Sequence, residues 1–352
     1  MTEYVKKATS KDVARLANVS QPTVSYVLNN TPGKSISEET RNKVLQAARE
    51  LNYSVNVSAR RLKTQKSNCI SVRLVNNLSH IRFSKMAEGS RTYLESRGYS
   101  LLLCSDQKGN NQYPDYLNAY FNSMADGILF ISVDGTVPEE VVRIVNEHNI
   151  PFSVIDSVEE NYSYSNVHYD YMQTTFRQAD ILINEGFRKI IYLRGEVDNQ
   201  KEDLRERGVK AAAYSVPGVE LEIRRIPSVR NATVDLVKDH LEEQKVSMDY
   251  GTIRNIIRET DPDTCFVCCY SPFPEKIKEL LYMEYLANPS EKTANWYKRT
   301  VSYHFDHYEA GLEGTRSLMD QIRGIKDQRI FSLVPVFDPL SADELTLLRT
   351  EY

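Results

Sequence analysis

Residues 8–30, ATSKDVARLANVSQPTVSYVLNN, decide how the chain begins to fold. Ser10 stands where it can cap a helix running through Lys11 to Ala17, with Val13, Leu16 and Ala17 on one face. Asn18-Val19 makes a tight turn. Ser20 then caps a second helix from Gln21 to about Leu28, in which Pro22 costs little because early helical N–H groups lack partners anyway. Val24, Val27 and Leu28 form its buried stripe, leaving Gln21, Thr23, Ser25 and Tyr26 to point elsewhere. Two short helices joined by such a turn make a helix-turn-helix unit, whose second helix is narrow enough for a DNA major groove. Ser37 caps a third helix, with Glu38 and Glu39 in its first turn and Val44, Leu45, Ala48 and Leu51 inward.

The charge balance fits that reading. Residues 1–66 carry 12 Lys+Arg against 5 Asp+Glu, a net +7, while the remaining residues carry 32 against 43, a net −11. A basic head on an acidic body suggests that the head meets a polyanion, although on charge alone a solvated basic surface explains it equally well. At 352 residues the chain has room for two or three domains, and with 41% hydrophobic and 26% charged residues it is not disordered throughout. No run approaches the roughly 18 apolar residues of a membrane helix. The start, MTEYVKKATSKDVARL, lacks the apolar core of a secretion signal, so a cytoplasmic location with no membrane partner is expected.

After Tyr53 comes SVNVSARRLKTQKSN, residues 54–68, too short for a domain. Val57 to Lys63 allows only about two helical turns, which are unstable alone in water. It is either a disordered linker or a helix that forms only on DNA. From Asn68 onward strands and helices alternate: CISVRLV, the helix in RFSKMAEGSRTYLESRG, YSLLLCS, a polar helix near Tyr113–Ser123, DGILFISV, PEEVVRIVNEHN and PFSVIDS. The pattern resumes with VHYD, a helix from about Met172 to Glu185, RKIIYLRG, a helix around Leu204–Tyr214, LEIRRIP, the helix ATVDLVKDHLEEQ and the strand TCFVCCY. Such alternation implies parallel sheets covered by helices, here an α/β core of two lobes.

Ala8 to Val72 resembles, almost without a break, the N-terminus of the lactose/galactose-repressor (LacI/GalR) family of bacterial transcriptional regulators. GFRKIIYLRG, RERGVKAA and YEAGLEGTRSLMDQIRG fit the same family's periplasmic-binding-protein-like core. The resemblance implies a homodimer on a double-stranded palindromic operator, with one recognition helix per major groove and paired hinge helices in the central minor groove. By position it makes Gln21, Pro22 and Tyr26 base readers, and Thr9, Ser20, Thr23, Ser25, Asn29 and Ser37 contacts that mostly touch phosphate. In the hinge it singles out Asn56, Ala59, Arg60 and Leu62, the last as a wedge that kinks the duplex. Tyr26 stands where many members have Arg, so the outer half-site bases should differ from those of Arg-bearing relatives. Val55 stands where Pro is common.

The implied division is a head at 1–55, a hinge at 56–67 and an effector-binding and dimerisation core at 68–352. One lobe takes about 68–168 and 306–330, the other about 169–303 and 331–352. The effector, a sugar or sugar derivative, is expected in the cleft between lobes at the carboxyl ends of the strands. Asp170 and Arg205, the latter in an R-x-x-G pattern with Gly208, carry over as cleft residues; Asn76 and Phe83 are candidates from the other lobe. The family's Asn-Asp after the late strand is here Cys269-Tyr270, and its following strand is not recognisable in YMEYLANPSEKTANWYKR. Tyr270 and Trp296 then offer a more aromatic pocket, or sugar binding is altered or lost.

Other signals carry less. Cys265, Cys268 and Cys269 lie in a strand rather than a metal-binding turn, and read as buried thiols. His304, Asp306 and His307 match an ordinary connection. No glycine-rich phosphate loop or nucleophile elbow stands out, so no catalytic residue, metal or cofactor is expected and the chain is read as a non-enzyme. The sequence lacks a C-terminal leucine heptad run of the kind that joins dimers, so a dimer is the expectation. The rival readings are a transporter's solute-binding protein, which would be exported, and a carbohydrate-acting enzyme, which would lose turnover to one cleft mutation.

Overall fold

The computed structural model describes residues 8–29, 33–53, 66–73, 81–108, 112–159, 164–196, 198–230, 246–268, 273–291, 293–325 and 329–338. The chain divides into two compact units, Met1–Ser67 and Asn68–Tyr352. In the first, α1 (Ser10–Ala17), α2 (Gln21–Leu28) and α3 (Glu38–Glu50) enclose a small core built around Val13, Val24, Val27 and Val44. Two expectations are corrected here. Thr9, not Ser10, caps α1: the Asp12 carboxylate accepts from Thr9 N–H at 2.9 Å while Thr9 Oγ1 accepts from Asp12 N–H, a reciprocal box that Ser10 is one residue too late to form. Leu16 is exposed, and Ala14 takes its inward place, so that α1 turns a small-residue face of Ala14 and Ala17 to the core. Asn18 ends α1 at φ 51°, a left-handed position that Asn tolerates.

The second unit is the α/β part. A six-stranded parallel sheet has the order β12-β5-β4-β3-β1-β2, from β1 (Cys69–Arg73), β2 (Ser100–Cys104), β3 (Ile128–Ile131), β4 (Phe152–Ile155), β5 (Ser165–Tyr169) and β12 (Ile330–Leu333). Helices α4 (Ile81–Glu95), α5 (Asp115–Phe121), α6 (Glu139–Glu147) and α11 (His307–Ile322) belong to this first lobe. Strands β3 and β4 are buried throughout, as central parallel strands covered on both faces must be. The second lobe has a three-stranded parallel sheet, β10-β6-β7, from β6 (Lys189–Gly195), β7 (Glu220–Ile226) and β10 (Thr264–Cys268). It packs with α7 (Tyr171–Asn184), α8 (Gln200–Ser215), α9 (Tyr250–Glu259) and α10 (Phe273–Ala287). A separate antiparallel pair joins β8 (Ser228–Arg230) to β9 (Val246–Met248).

The chain crosses between lobes after β5, between β11 (Tyr303–His304) and α11, and between β12 and β13 (Val336–Phe337). The third crossing falls after Leu333 rather than at 330, because β12 registers on β5 down to the Leu333–Tyr169 pair and so belongs to the first lobe. β11 and β13 pair antiparallel, tying two crossings together.

Where the family's late strand was not recognisable, α10 leads through turns into a 3₁₀ turn at Trp296–Lys298, and one parallel bridge joins Thr300 to Phe266. Trp296 is buried against Tyr282 in the second lobe's core, and Tyr270, its expected partner in an aromatic pocket, lies outside the described residues. Cys265 and Cys268 are buried core residues of β10, and burial pushes the Cys265 thiol far up. The expected helix at 232–244 lies outside the described residues. Among the described residues no helix is long and apolar enough to cross a membrane.

Candidate functional site

In the head, three Ser or Thr hydroxyls cap the three helices. Ser20 accepts from Thr23 N–H at 3.3 Å and Ser37 from Thr40 N–H at 3.3 Å, as Thr9 does for α1. Helix starts present unpaired N–H groups and the positive end of the dipole, which suits a phosphate. Along α2, Gln21, Pro22 and Ser25 are exposed, Thr23 and Tyr26 half-buried, and Val24 and Val27 buried, so one helix separates a core face from an open face. Gln21 Nε2 donates to Ser10 Oγ at 2.8 Å. The Lys34 ammonium lies 5.3 Å from the Tyr26 ring centre. Asn29 caps the end of α2 and donates from Nδ2 to Ser25 O at 2.8 Å. Asn56, Ala59, Arg60 and Leu62 lie outside the described residues.

In the core, the candidates fall into different roles. Asn76 and Tyr270 lie outside the described residues. Phe83 is buried in the first lobe's apolar core, with the Arg82 guanidinium 5.4 Å from its ring centre. Asp170 is half-buried and caps α7, accepting from Gln173 N–H at 2.9 Å. Arg205 is 4% exposed, pairs with the fully buried Glu202, and lies 4.0 Å over the Tyr171 ring. Its R-x-x-G pattern has a packing cause as well: a Cβ on Gly208 would sit 2.1 Å from Met172 O, so glycine lets α8 approach α7.

The centre of this arrangement is Asp156, which the sequence did not single out. It follows β4, is fully buried, and sits at φ 69°, a left-handed backbone unusual for a side chain with a Cβ. Its carboxylate accepts from Tyr171 Oη at 2.7 Å and Lys201 Nζ at 2.6 Å, and pairs with Arg82. Burial alone would raise this carboxyl, but Lys201 and Arg82 outweigh burial and hold it below the usual carboxylate range. Burial pushes the Lys201 ammonium down to about 8 against the pull of Asp156. Burial likewise keeps Tyr171 a neutral donor. Beside them, Tyr169 Oη meets His307 Nδ1 at 2.7 Å, and burial with the nearby Arg82 lowers His307 to about 4. Asp306 caps α11, while His304 Nδ1 lies 3.7 Å from Asp338. The cluster is therefore ionic and aromatic, with three cations (Arg82, Lys201, Arg205) and two carboxylates (Asp156, Glu202) spanning both lobes.

Comparison with known proteins matches residues 9–56 to the family described as bacterial regulatory proteins, lacI family. Residues 71–244 match the periplasmic binding proteins and sugar binding domain of the LacI family. The HTH-type transcriptional repressor PurR of Vibrio atlanticus (strain LGP32) is 34% identical over 206 residues, covering 58% of this chain and 60% of that protein. The HTH-type transcriptional regulator RegA of Clostridium saccharobutylicum is 30% identical over 189 residues, 54% of this chain. These matches span only 55% and 60% of the two relatives' lengths. By structure, the lac repressor dimer bound to operator and the anti-inducer ONPF is similar at a TM-score of 0.72 and 18% identity, covering 95% of this chain and 98% of that one. That likeness shows the fold. Head and core thus match, separately and in the same order, the two parts of one family, and the chain belongs to the LacI family of bacterial regulatory proteins.

Proposed function

We propose that the protein is a sequence-specific transcriptional regulator, a repressor, that binds a palindromic operator as a homodimer. The observation that carries this is the two-faced α2: Val24 and Val27 anchor it while Gln21, Pro22 and Ser25 stay exposed, and head and hinge together, residues 1–66, carry a net charge of +7. Relatives named repressors, and the operator held by the lac repressor dimer, support the same reading. In this reading Gln21, Pro22 and Tyr26 read bases, while Thr9, Ser20, Thr23, Ser25, Asn29 and Ser37 set register on phosphates. Fluorescence anisotropy with labelled duplexes tests it. Affinity should fall steeply between about 50 and 200 mM salt, as counterion release requires. Binding that ignores salt, or no binding to any duplex, would overturn it.

The core is the sensing part in this reading: a small molecule, a sugar or sugar derivative, enters between the lobes near Asp170 and Arg205 and biases their relative angle. It must bind the two lobe arrangements with different affinity, or it switches nothing. A thermal-shift screen of sugars and sugar phosphates, repeated with Asp170→Ala and Arg205→Ala, tests the placement. Stabilisation that survives both substitutions would remove those residues from the site.

A further inference from the structure

Lys201 occupies a position that its own helix disfavours. It is the second residue of α8, whose start carries the positive end of the helix dipole, so a cation there needs a partner elsewhere. That partner is in the other lobe. Lys201 Nζ donates to Asp156 Oδ2 at 2.6 Å and to Val133 O at 3.0 Å, both from the first lobe, and Lys201 is 5% exposed. The first lobe is shaped to receive it. Gly135 stands at φ 97°, and a Cβ there would lie 3.0 Å from Lys201 Cε and 2.9 Å from a Val158 methyl. Any side chain at 135 would therefore crowd the lysine stem. Asp156, at φ 69°, keeps its left-handed backbone while Arg82, Lys201 and Tyr171 all hold its carboxylate. Leu204, one turn further along α8, packs on the first lobe's apolar core, so the ion pair is backed by apolar contact.

We propose that Lys201 is a resident ligand of the cleft, a latch whose ammonium holds the two lobes against each other without any small molecule, so that an effector acts by breaking the contact with Asp156 and Val133. The effector half of this rests on the cleft being the sensing site; the latch half does not. Any ligand that opens the cleft takes Lys201 away from the Asp156 carboxylate, and must compensate the loss through its own contacts with the opened arrangement.

The test is hydrogen–deuterium exchange on the full-length protein, followed in peptides covering 132–136 and 198–205, with 190–193 as an internal reference. Lys201→Ala should speed exchange in the first two segments by roughly tenfold and leave the reference strand protected. Lys201→Met, which keeps an apolar stem without the charge, should do the same. Millimolar n-propylammonium chloride should restore protection in Lys201→Ala in a saturable way, and sodium chloride should not. Wild-type protection in Lys201→Met, equal rescue by sodium chloride, or loss of protection in 190–193 as well would each overturn the latch. Separately, a sugar screen to which neither the wild type nor Lys201→Ala responds would overturn the effector half and leave the exchange result standing.

Discussion

Gln21 and Ser10, the first residues of α2 and α1, are joined by a hydrogen bond of 2.8 Å from Gln21 Nε2 to Ser10 Oγ. The residue proposed to read a base is thus tethered to the neighbouring helix, and in that role it would exchange Ser10 for a base edge on binding. Gln21→Ala should therefore cost about 1–3 kcal/mol of discrimination at one base pair per half-site, and little of the non-specific affinity. Competition binding with single-base operator variants measures this. Equal losses on every sequence would instead make Gln21 a phosphate contact.

Tyr26 offers one hydroxyl and a ring with Lys34 at 5.3 Å from its centre, where a guanidinium would present paired donors. Tyr26→Arg should shift the preferred base at one symmetric position toward guanine, read out by selection from randomised half-sites. An unchanged preference would remove Tyr26 from the base readers.

Gly208→Ala should destabilise the core by about 1–3 kcal/mol or more, because the added methyl meets the Met172 carbonyl oxygen at 2.1 Å and backbone gives way at greater cost than a side chain. Urea unfolding followed by circular dichroism measures it. A change within about 0.5 kcal/mol would contradict the close packing of α7 on α8.

His307 is lowered from 6.5 to about 4, chiefly by burial and then by Arg82. The folded protein resists a proton that the unfolded chain accepts, so this contribution is fully present above pH 6.5 and is lost as pH falls toward 4. Its size is roughly 3 kcal/mol. His168 is lowered in the same direction, again mainly by burial, and adds to the same acid limb. His307→Gln should flatten stability between about pH 6.5 and 4 without abolishing the slope. An unchanged slope would mean that His307 is protonated in the folded protein.

Local signals carried most of the fold. Caps at Ser20 and Ser37, the Asn18 turn and the apolar runs of β3 and β4 are decided by neighbours in sequence, and so were legible there. The cap of α1 is local as well: Ser10 and Thr9 are both cap residue types, and only Thr9 can close the reciprocal bond with Asp12. The interlobe cluster was not legible because its members meet only through the fold. Lys201 lies 45 residues from Asp156, and Arg82 lies 74 from it. Lys201 gave no local signal either, because the sequence pattern starts that helix near Leu204 whereas α8 begins at Gln200. Asp170 and Arg205 stand out by pattern in the sequence, and the structure gives each a structural task as well, as a helix cap and as a buried partner of Glu202.

The central claim is that α2 reads a twofold-symmetric DNA site, and selection from random duplexes with the full-length protein tests it most directly. The expected result is one enriched inverted repeat whose outer bases change when Gln21 and Tyr26 are replaced together. No enriched repeat, or the same repeat recovered unchanged by the doubly substituted protein, would contradict it.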